Sequence, residues 1–255
     1  MRNTIVSVLI LGTSHAVPDV EHGNTHMLIQ TDEHNILIDC AGDIIQRLQK
    51  AEVPIERLTD LILTHFHPDH ISGIPLFLMD MWLRGRKSPL EIYGLPHTIE
   101  RMENLMDAFS WKNWPNFFPV TFNKLPSVAL NPVIDCTDFK IYSSPVCHMI
   151  PTIGMRIEFN EAKKVVAYSC DTEPCDEVVH LGKNADILIH EASGNFVGHS
   201  SSAQAAEIAT QANAKRLYLI HYPTGEYWQE NTLEDAQRNF DGDVVLAEDL
   251  MILNF

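Results

Sequence analysis

The stretch Leu61–Ile74, LILTHFHPDHISGI, constrains this chain more than any other. Three histidines and one aspartate (His65, His67, Asp69 and His70) fall within six positions, directly after an apolar run. The run DLILT predicts a buried strand, and ISGIPLFLMDMWL predicts a helix after the turn. The cluster then lies at the carboxyl end of a strand, on the loop before a helix, where α/β proteins place ligand sites. Alternation along an extended segment sends His65 and His67 to one side. Asp69 and His70 continue around the turn toward a second point nearby. Neutral imidazole and carboxylate are donors that zinc, manganese and iron accept. Four such donors can serve two ions but complete neither shell, so the rest of the chain must supply more.

The remaining pattern is an alternation. Short apolar runs bounded by turn residues read as strands: IVSVLIL, HMLIQT, NILIDC, LTDLILT and PLEIYG in the first half. FKIYSSPV, TIGMRIEF, KKVVAYSC, ADILIHEA, KRLYLIHY and DVVLAEDLMILNF follow in the second. GDIIQRLQKAEV, EPCDEVVHLGK, SSAQAAEIATQANA and TLEDAQRNF read as helices between them. No long Gly/Ser/Pro linker, low-complexity block or repeat divides the chain, so a single domain over 1–255 is expected. Interleaved strands and helices in both halves fit two sheets packed face to face with helices outside. A single doubly wound sheet competes, and periodicity does not choose between them.

Further metal-capable residues stand just beyond the later strands: His148, Asp171, His190 and His221. One histidine so placed is ordinarily a surface or hydrogen-bonded residue. Four such positions together with the first cluster form a pattern. His15, His22, His26, His34, His97 and His180 are read as structural or surface residues, and Thr64 as a residue that fixes the turn. Five cysteines, without a CxxC pair, read as free thiols rather than a disulfide framework. Cys170 stands beside Asp171 but is not taken as a ligand.

THFHPDH, His148, YSCDT, HEAS and IHY, in this order, resemble the metallo-β-lactamase superfamily. More narrowly, ADILIHEAS followed by GHSSSAQAAEIA resembles its ribonuclease Z-like branch, from LGTSHAVP to AEDLMILNF. The resemblance implies an α/β fold arranged as a four-layer αββα sandwich, with metals at one edge between the sheets. It implies that His65, His67 and His148 hold one ion, that Asp69, His70 and His221 hold a second, and that Asp171 bridges them. It also implies two divalent ions, zinc by the histidine-rich ligation, with manganese or iron accepting the same donors. Asp69, His190, Glu191 and His199 are the residues expected to serve catalysis beside the metals. His190 and Glu191 are read as supporting groups, a carboxylate that orients an imidazole rather than added ligands, and His199 as a group that stabilises charge or gives a proton to the leaving group. Ser200 or Ser201 is the expected cap of the helix that follows.

The implied reaction is hydrolysis by a hydroxide activated between the ions. Two +2 ions and two carboxylates leave about +2 at the site, which suits an anionic substrate. A formal charge of −16 leaves little surface for a large RNA, and RGRK at 84–87 is the only dense basic group, read as a solvated helix end. Members that process transfer RNA carry a long arm between the positions of His148 and Asp171, where only about two strands fit here. Their basic pair before an asparagine is replaced by AVPDVEHGN, in which only Asn24 matches. A small phosphodiester or cyclic nucleotide is therefore the expected substrate. A ribonuclease Z-type tRNA 3′-endonuclease, an arylsulfatase-like or lactone hydrolase, and a non-catalytic metal-binding protein are the alternatives. The aromatic stretch FSWKNWPNFF, 109–118, is read as a wall over the pocket, as lid packing or as a dimer contact. With Met79–Trp82 it suggests a homodimer.

No apolar run reaches the ~20 residues of a membrane span. Arg2, the run from Ile5 to Leu11 and Ala16 have the outline of a short signal peptide. Ser7 and the Gly-Thr-Ser turn favour a first strand instead, and with it a cytoplasmic protein without a membrane partner.

Overall fold

The computed structural model describes residues 6–228 and 231–255. Arg2 and Ile5, on which part of the leader comparison rests, lie outside the described residues. The strands are β1 (Ser7–Gly12), β2 (His26–Gln30), β3 (Asn35–Ile38), β4 (Asp60–Ile62), β5 (Leu90–Gly94), β6 (Val120–Lys124) and β7 (Asn131–Asp135). The second half adds β8 (Phe139–Val146), β9 (Thr152–Phe159), β10 (Lys164–Tyr168), β11 (Ile187–Glu191), β12 (Arg216–Ile220), β13 (Asp243–Leu246) and β14 (Ile252–Asn254). The helices are α1 (Ile44–Lys50), α2 (Pro68–Ile71), α3 (Ile74–Leu83), α4 (Pro96–Ala108), α5 (Asp176–Gly182), α6 (Ser202–Gln211) and α7 (Thr232–Gln237).

The strands form two seven-stranded sheets, ordered β14-β1-β2-β3-β4-β5-β6 and β13-β12-β11-β10-β9-β8-β7. In the first, β3 through β6 run parallel; in the second, β10 through β13 do. Alternation along each strand explains the layering. Val8 and Ile10, Ile36 and Ile38, Val166 and Tyr168, and Ile187 and Ile189 point into a core between the sheets. Their neighbours Leu9, Leu11 and Leu37 pack with Leu48, Phe77, Leu78 and Ile99 from α1, α3 and α4. Ala167, Leu188, Leu217 and Leu219 pack with Val178, Ala205, Ile208 and Ala236 from α5, α6 and α7. The result is helix, sheet, sheet, helix, and the single doubly wound sheet is set aside.

Three sequence expectations change. DVVLAEDLMILNF is two strands: β13 closes the second sheet, and β14 returns to pair with β1 in the first. The strands β6 and β7 and the helix α4 are additional to the sequence reading: Pro132 and partial exposure weaken β7, whereas α4 buries Ile99, Met102 and Met106 at helical spacing. Arg86, expected at a solvated helix end, is buried, donating to the Leu58, Ser88 and Pro89 carbonyl oxygens with its guanidinium over Phe118. No helix among the described residues is long and apolar enough to cross a membrane.

Candidate metal centre

The chemistry-bearing residues gather where the parallel strands of both sheets end. His65, His67, Asp69 and His70 follow β4 and run into α2, where Pro68 occupies the first turn. His148 follows β8, Asp171 follows β10, and His221 follows β12 directly. His221, Asp39 and Cys170 all hold left-handed backbone, at φ 53°, 62° and 55°. Non-glycine residues rarely do so, and such strain concentrates at functional sites.

Two groups of donors converge. Nδ1 of His67 lies 3.1 Å from Nε2 of His65 and 3.1 Å from Nε2 of His148. In the second group, Nε2 of His70 lies 3.4 Å from Oδ2 of Asp69, and Nε2 of His221 lies 3.8 Å from the same oxygen. Oδ2 of Asp171 stands between the groups: 3.2 Å from His221 Nε2, 3.5 Å from His70 Nε2 and 3.8 Å from His65 Nε2. Ligands at about 2.0–2.1 Å in a tetrahedron are about 3.4 Å from one another, so these separations fit a cation. His70 Nε2 and Asp171 Oδ1 are buried without a hydrogen-bond partner, a costly state that a metal would relieve.

The hydrogen bonds behind the donors fix their tautomers. Nδ1 of His148 donates to the Gly198 carbonyl oxygen at 2.6 Å, leaving Nε2 bare. A carbonyl can only accept, so the proton's position follows from geometry. Gly198 has φ +82°, and a Cβ there would come within 2.9 Å of His148 Nδ1, so glycine is required twice over. The Thr64 hydroxyl donates to Asp39 at 2.7 Å and so accepts from His65 Nδ1 at 3.1 Å. The Thr25 hydroxyl donates to the Ser14 carbonyl oxygen and accepts from His221 Nδ1 at 3.1 Å. Nδ1 of His70 donates to Asp39 Oδ2 at 2.8 Å. These four imidazoles thus keep Nε2 as the nitrogen turned to the centre, the one that binds metal when it carries no proton.

The local field favours a cation. Burial alone would lower the His70 pKa, but Asp171, Asp69 and Asp39 outweigh it and raise it well above the ordinary value. Burial likewise works to raise Asp69, and His70 and His221 overcome it and hold the carboxyl low. His199 follows the same logic: burial lowers it, the Glu191 carboxylate raises it, and the carboxylate prevails. Nδ1 of His199 lies 3.0 Å from Glu191 Oε1, and Glu191 also accepts backbone N–H groups of Thr172, Ser193 and Ser200.

The placements differ from the sequence reading in three respects. His190 is not brought to the donors. Along β11 it shares a face with Leu188, toward the helix layer, and its Nδ1 donates to its own neighbour's carbonyl oxygen, Glu191 O, at 2.8 Å. His15, read as structural, lines the cavity beside Ala16, His67, Asp69, Met149, Asp171, Phe196, His199 and His221. The aromatic stretch packs elsewhere: Trp114 stacks on Trp82, and Phe117 and Phe118 join the helix layer of the first sheet. Phe196 and Met149 form the apolar wall instead. Asp39 and Thr25 were missed. The strand-end aspartate of NILIDC is a signal of the same kind as Asp171, whereas nothing local marks Thr25. Ser201 caps α6 in a reciprocal capping box with Gln204, as expected.

Comparison with known proteins agrees with this geometry. Residues 6–241 match the family model described as anti-Pycsar protein Apyc1. A protein named Ribonuclease Z from Mycolicibacterium gilvum is 30% identical over 273 residues, covering 96% of this chain and 95% of its own. The metallo-β-lactamase fold protein YhfI from Bacillus subtilis superposes with a TM-score of 0.84 at 24% identity, covering 99% of this chain and 100% of that one. Human short-form tRNase Z superposes with a TM-score of 0.78 at 25% identity, covering 97% and 98%.

Proposed function

The chain belongs to the anti-Pycsar Apyc1 family, within the ribonuclease Z-like branch of the metallo-β-lactamase superfamily, and is a metal-dependent hydrolase; from that premise we propose that it is a phosphodiesterase of small phosphodiesters or cyclic nucleotides. The observation that carries the reading is the cavity at the donor cluster. Its volume is about 320 Å³, and it is walled by His15, Met149 and Phe196. That is the scale of a small ligand.

In this reading His65, His67 and His148 would hold one divalent cation, Asp69, His70 and His221 would hold another, and Asp171 would serve both. Zinc is the favoured metal, with manganese or iron compatible with the same donors. The chemistry that such a bound pair supplies is Lewis acidity and a hydroxide nucleophile near neutral pH. The chain's own residues do the rest. Asp39, Thr25, Thr64 and Gly198 hold the imidazoles in place. Glu191 holds the His199 ring, whose second nitrogen is then free to give a proton to the leaving oxygen. Phe196 and Met149 offer an apolar surface to a base or aryl group. A small anionic substrate, a cytoplasmic setting, one domain over 1–255 and a homodimer belong to the same proposal. The exposed Leu76 and Phe109 offer an apolar surface for such a dimer.

The second reading, a tRNA 3′-endonuclease, draws on the relatives named Ribonuclease Z. Against it, only β9 and β10 occupy the connection from His148 to Asp171. A panel of bis(p-nitrophenyl) phosphate, 2′,3′- and 3′,5′-cyclic nucleotides, p-nitrophenyl sulfate, a lactone and a precursor tRNA tests the choice. The phosphodiesterase reading expects turnover of a small diester or a cyclic nucleotide, and weak or no precursor cleavage. Efficient precursor cleavage with inert small diesters overturns it.

A further inference from the structure

A second cluster of donors stands outside the centre just described. The Sγ atoms of Cys147 and Cys175 and a carboxylate oxygen of Glu177 all lie within 4.8 Å of one another. Cys147 is exposed, and Cys175 and Glu177 are half-buried, so an ion from solvent reaches them. The two sulfurs come from different loops, and the backbone holds those loops together. The Cys147 N–H donates to the Thr172 hydroxyl at 3.1 Å, and the Glu173 N–H donates to the Cys147 carbonyl oxygen at 2.7 Å. The Thr172 hydroxyl in turn lies 3.6 Å from Cys175 Sγ. The arrangement is pre-formed rather than an accident of two mobile side chains. Its surroundings are acidic, since Glu173 and Glu177 both act on the Cys147 sulfur.

We propose that Cys147, Cys175 and Glu177 form a separate binding site for one thiophilic divalent cation such as Zn²⁺. Two soft sulfurs and a carboxylate are a donor set that zinc accepts, with a fourth position left to water. Each thiol gives up its proton to solvent as the ion binds. A disulfide between the same cysteines would leave Glu177 without a part, whereas a cation uses all three groups. The site differs in kind from the catalytic centre, whose candidate donors are imidazoles and carboxylates. It also joins the loop of His148 to the segment that follows Asp171, so an ion here braces two loops that carry candidate ligands.

Cadmium titration of the reduced full-length chain reads the site directly, because only thiolate ligands give the ultraviolet thiolate-to-cadmium charge-transfer band. The wild type should show this band, its amplitude corresponding to one thiolate-bound ion per chain and saturating once the imidazole and carboxylate centre has also taken up its ions. The Cys170→Ser variant should keep it, which removes the sulfur 3.7 Å from His65 Nδ1 from consideration. The Cys147→Ser/Cys175→Ser double variant should lose it, and Glu177→Gln should shift the midpoint to higher cadmium. The proposal fails if the reduced wild type gives no band, if the double variant keeps it, or if Glu177→Gln leaves the midpoint unmoved. None of these readouts uses hydrolysis, so they stand or fall apart from the substrate assignment.

Discussion

Nδ1 of His70 lies 2.8 Å from Oδ2 of Asp39, and neither atom is reached by solvent. The same carboxylate accepts the backbone N–H and hydroxyl of Thr64, so one residue at the end of β3 orients the turn that carries four candidate ligands. Replacing Asp39 with Asn should weaken metal binding roughly 10–100-fold while the chain stays folded. Chelator competition followed by metal analysis measures this. Unchanged affinity would mean that Asp39 serves the turn alone.

Oδ2 of Asp171 lies within 3.8 Å of imidazole nitrogens in both donor groups. Asp171→Ala should lose turnover and bound metal together, because the two groups then share no ligand. Full metal content with full turnover in that variant would refute the bridging assignment.

A nitrogen of His199 lies within 4.8 Å of donor atoms of His148 and Asp171, and its Nδ1 is held by Glu191 at 3.0 Å. His199→Ala should lower kcat about 10²–10⁴-fold with metal content retained. Glu191→Gln should lower kcat less, since the amide can still accept from the ring. A His199→Ala enzyme that loses metal in proportion to activity would instead make this histidine a ligand.

His190 is fully buried, its Nε2 has no partner, and burial pushes its pKa down to about 4. The folded chain therefore prefers the neutral ring, whereas the unfolded chain takes up a proton near 6.5. This contribution to stability is complete above pH 6.5 and is lost as the pH falls from 6.5 to 4. The loss is on the order of 3 kcal/mol. In His190→Leu the contribution cannot titrate, so the stability difference between variant and wild type should move in the variant's favour across that window. Denaturant unfolding at a series of pH values reads it; parallel curves for the two chains would contradict the assignment.

Much of the fold could be read from short apolar runs, nearly unbroken where both faces are buried, as in β1, β3 and β11, and alternating where one face is half-exposed, as in β8. Periodicity did not separate two sheets from one, since a strand's partner is a long-range choice that no local window contains. The resemblance carried by THFHPDH and HEAS settled it. The failures have local causes. β6 and β7 are half-exposed and each packs only two apolar residues on a core, Val120 and Phe122 or Val133 and Ile134, too few to form a run. His190 and Glu191 are adjacent in sequence yet point to opposite faces of β11, and the pair was read as one unit. Arg86 looked like surface because two of the carbonyl oxygens that satisfy its charge, those of Glu56 and Leu58, lie far from it in sequence. His15 was judged alone, and only folding sets it against Asp69 and His221.

The pairing of β1 with β14, which sets Ser7 opposite Asn254, means that one edge of β1 finds its partner only when a strand far later in the chain has been made. At about 5–20 residues per second, a ribosome leaves that edge open for on the order of tens of seconds. An open apolar edge invites pairing with a stranger. Production of this protein should therefore depend on what shields the nascent chain during that interval more than on the stability of the finished sandwich.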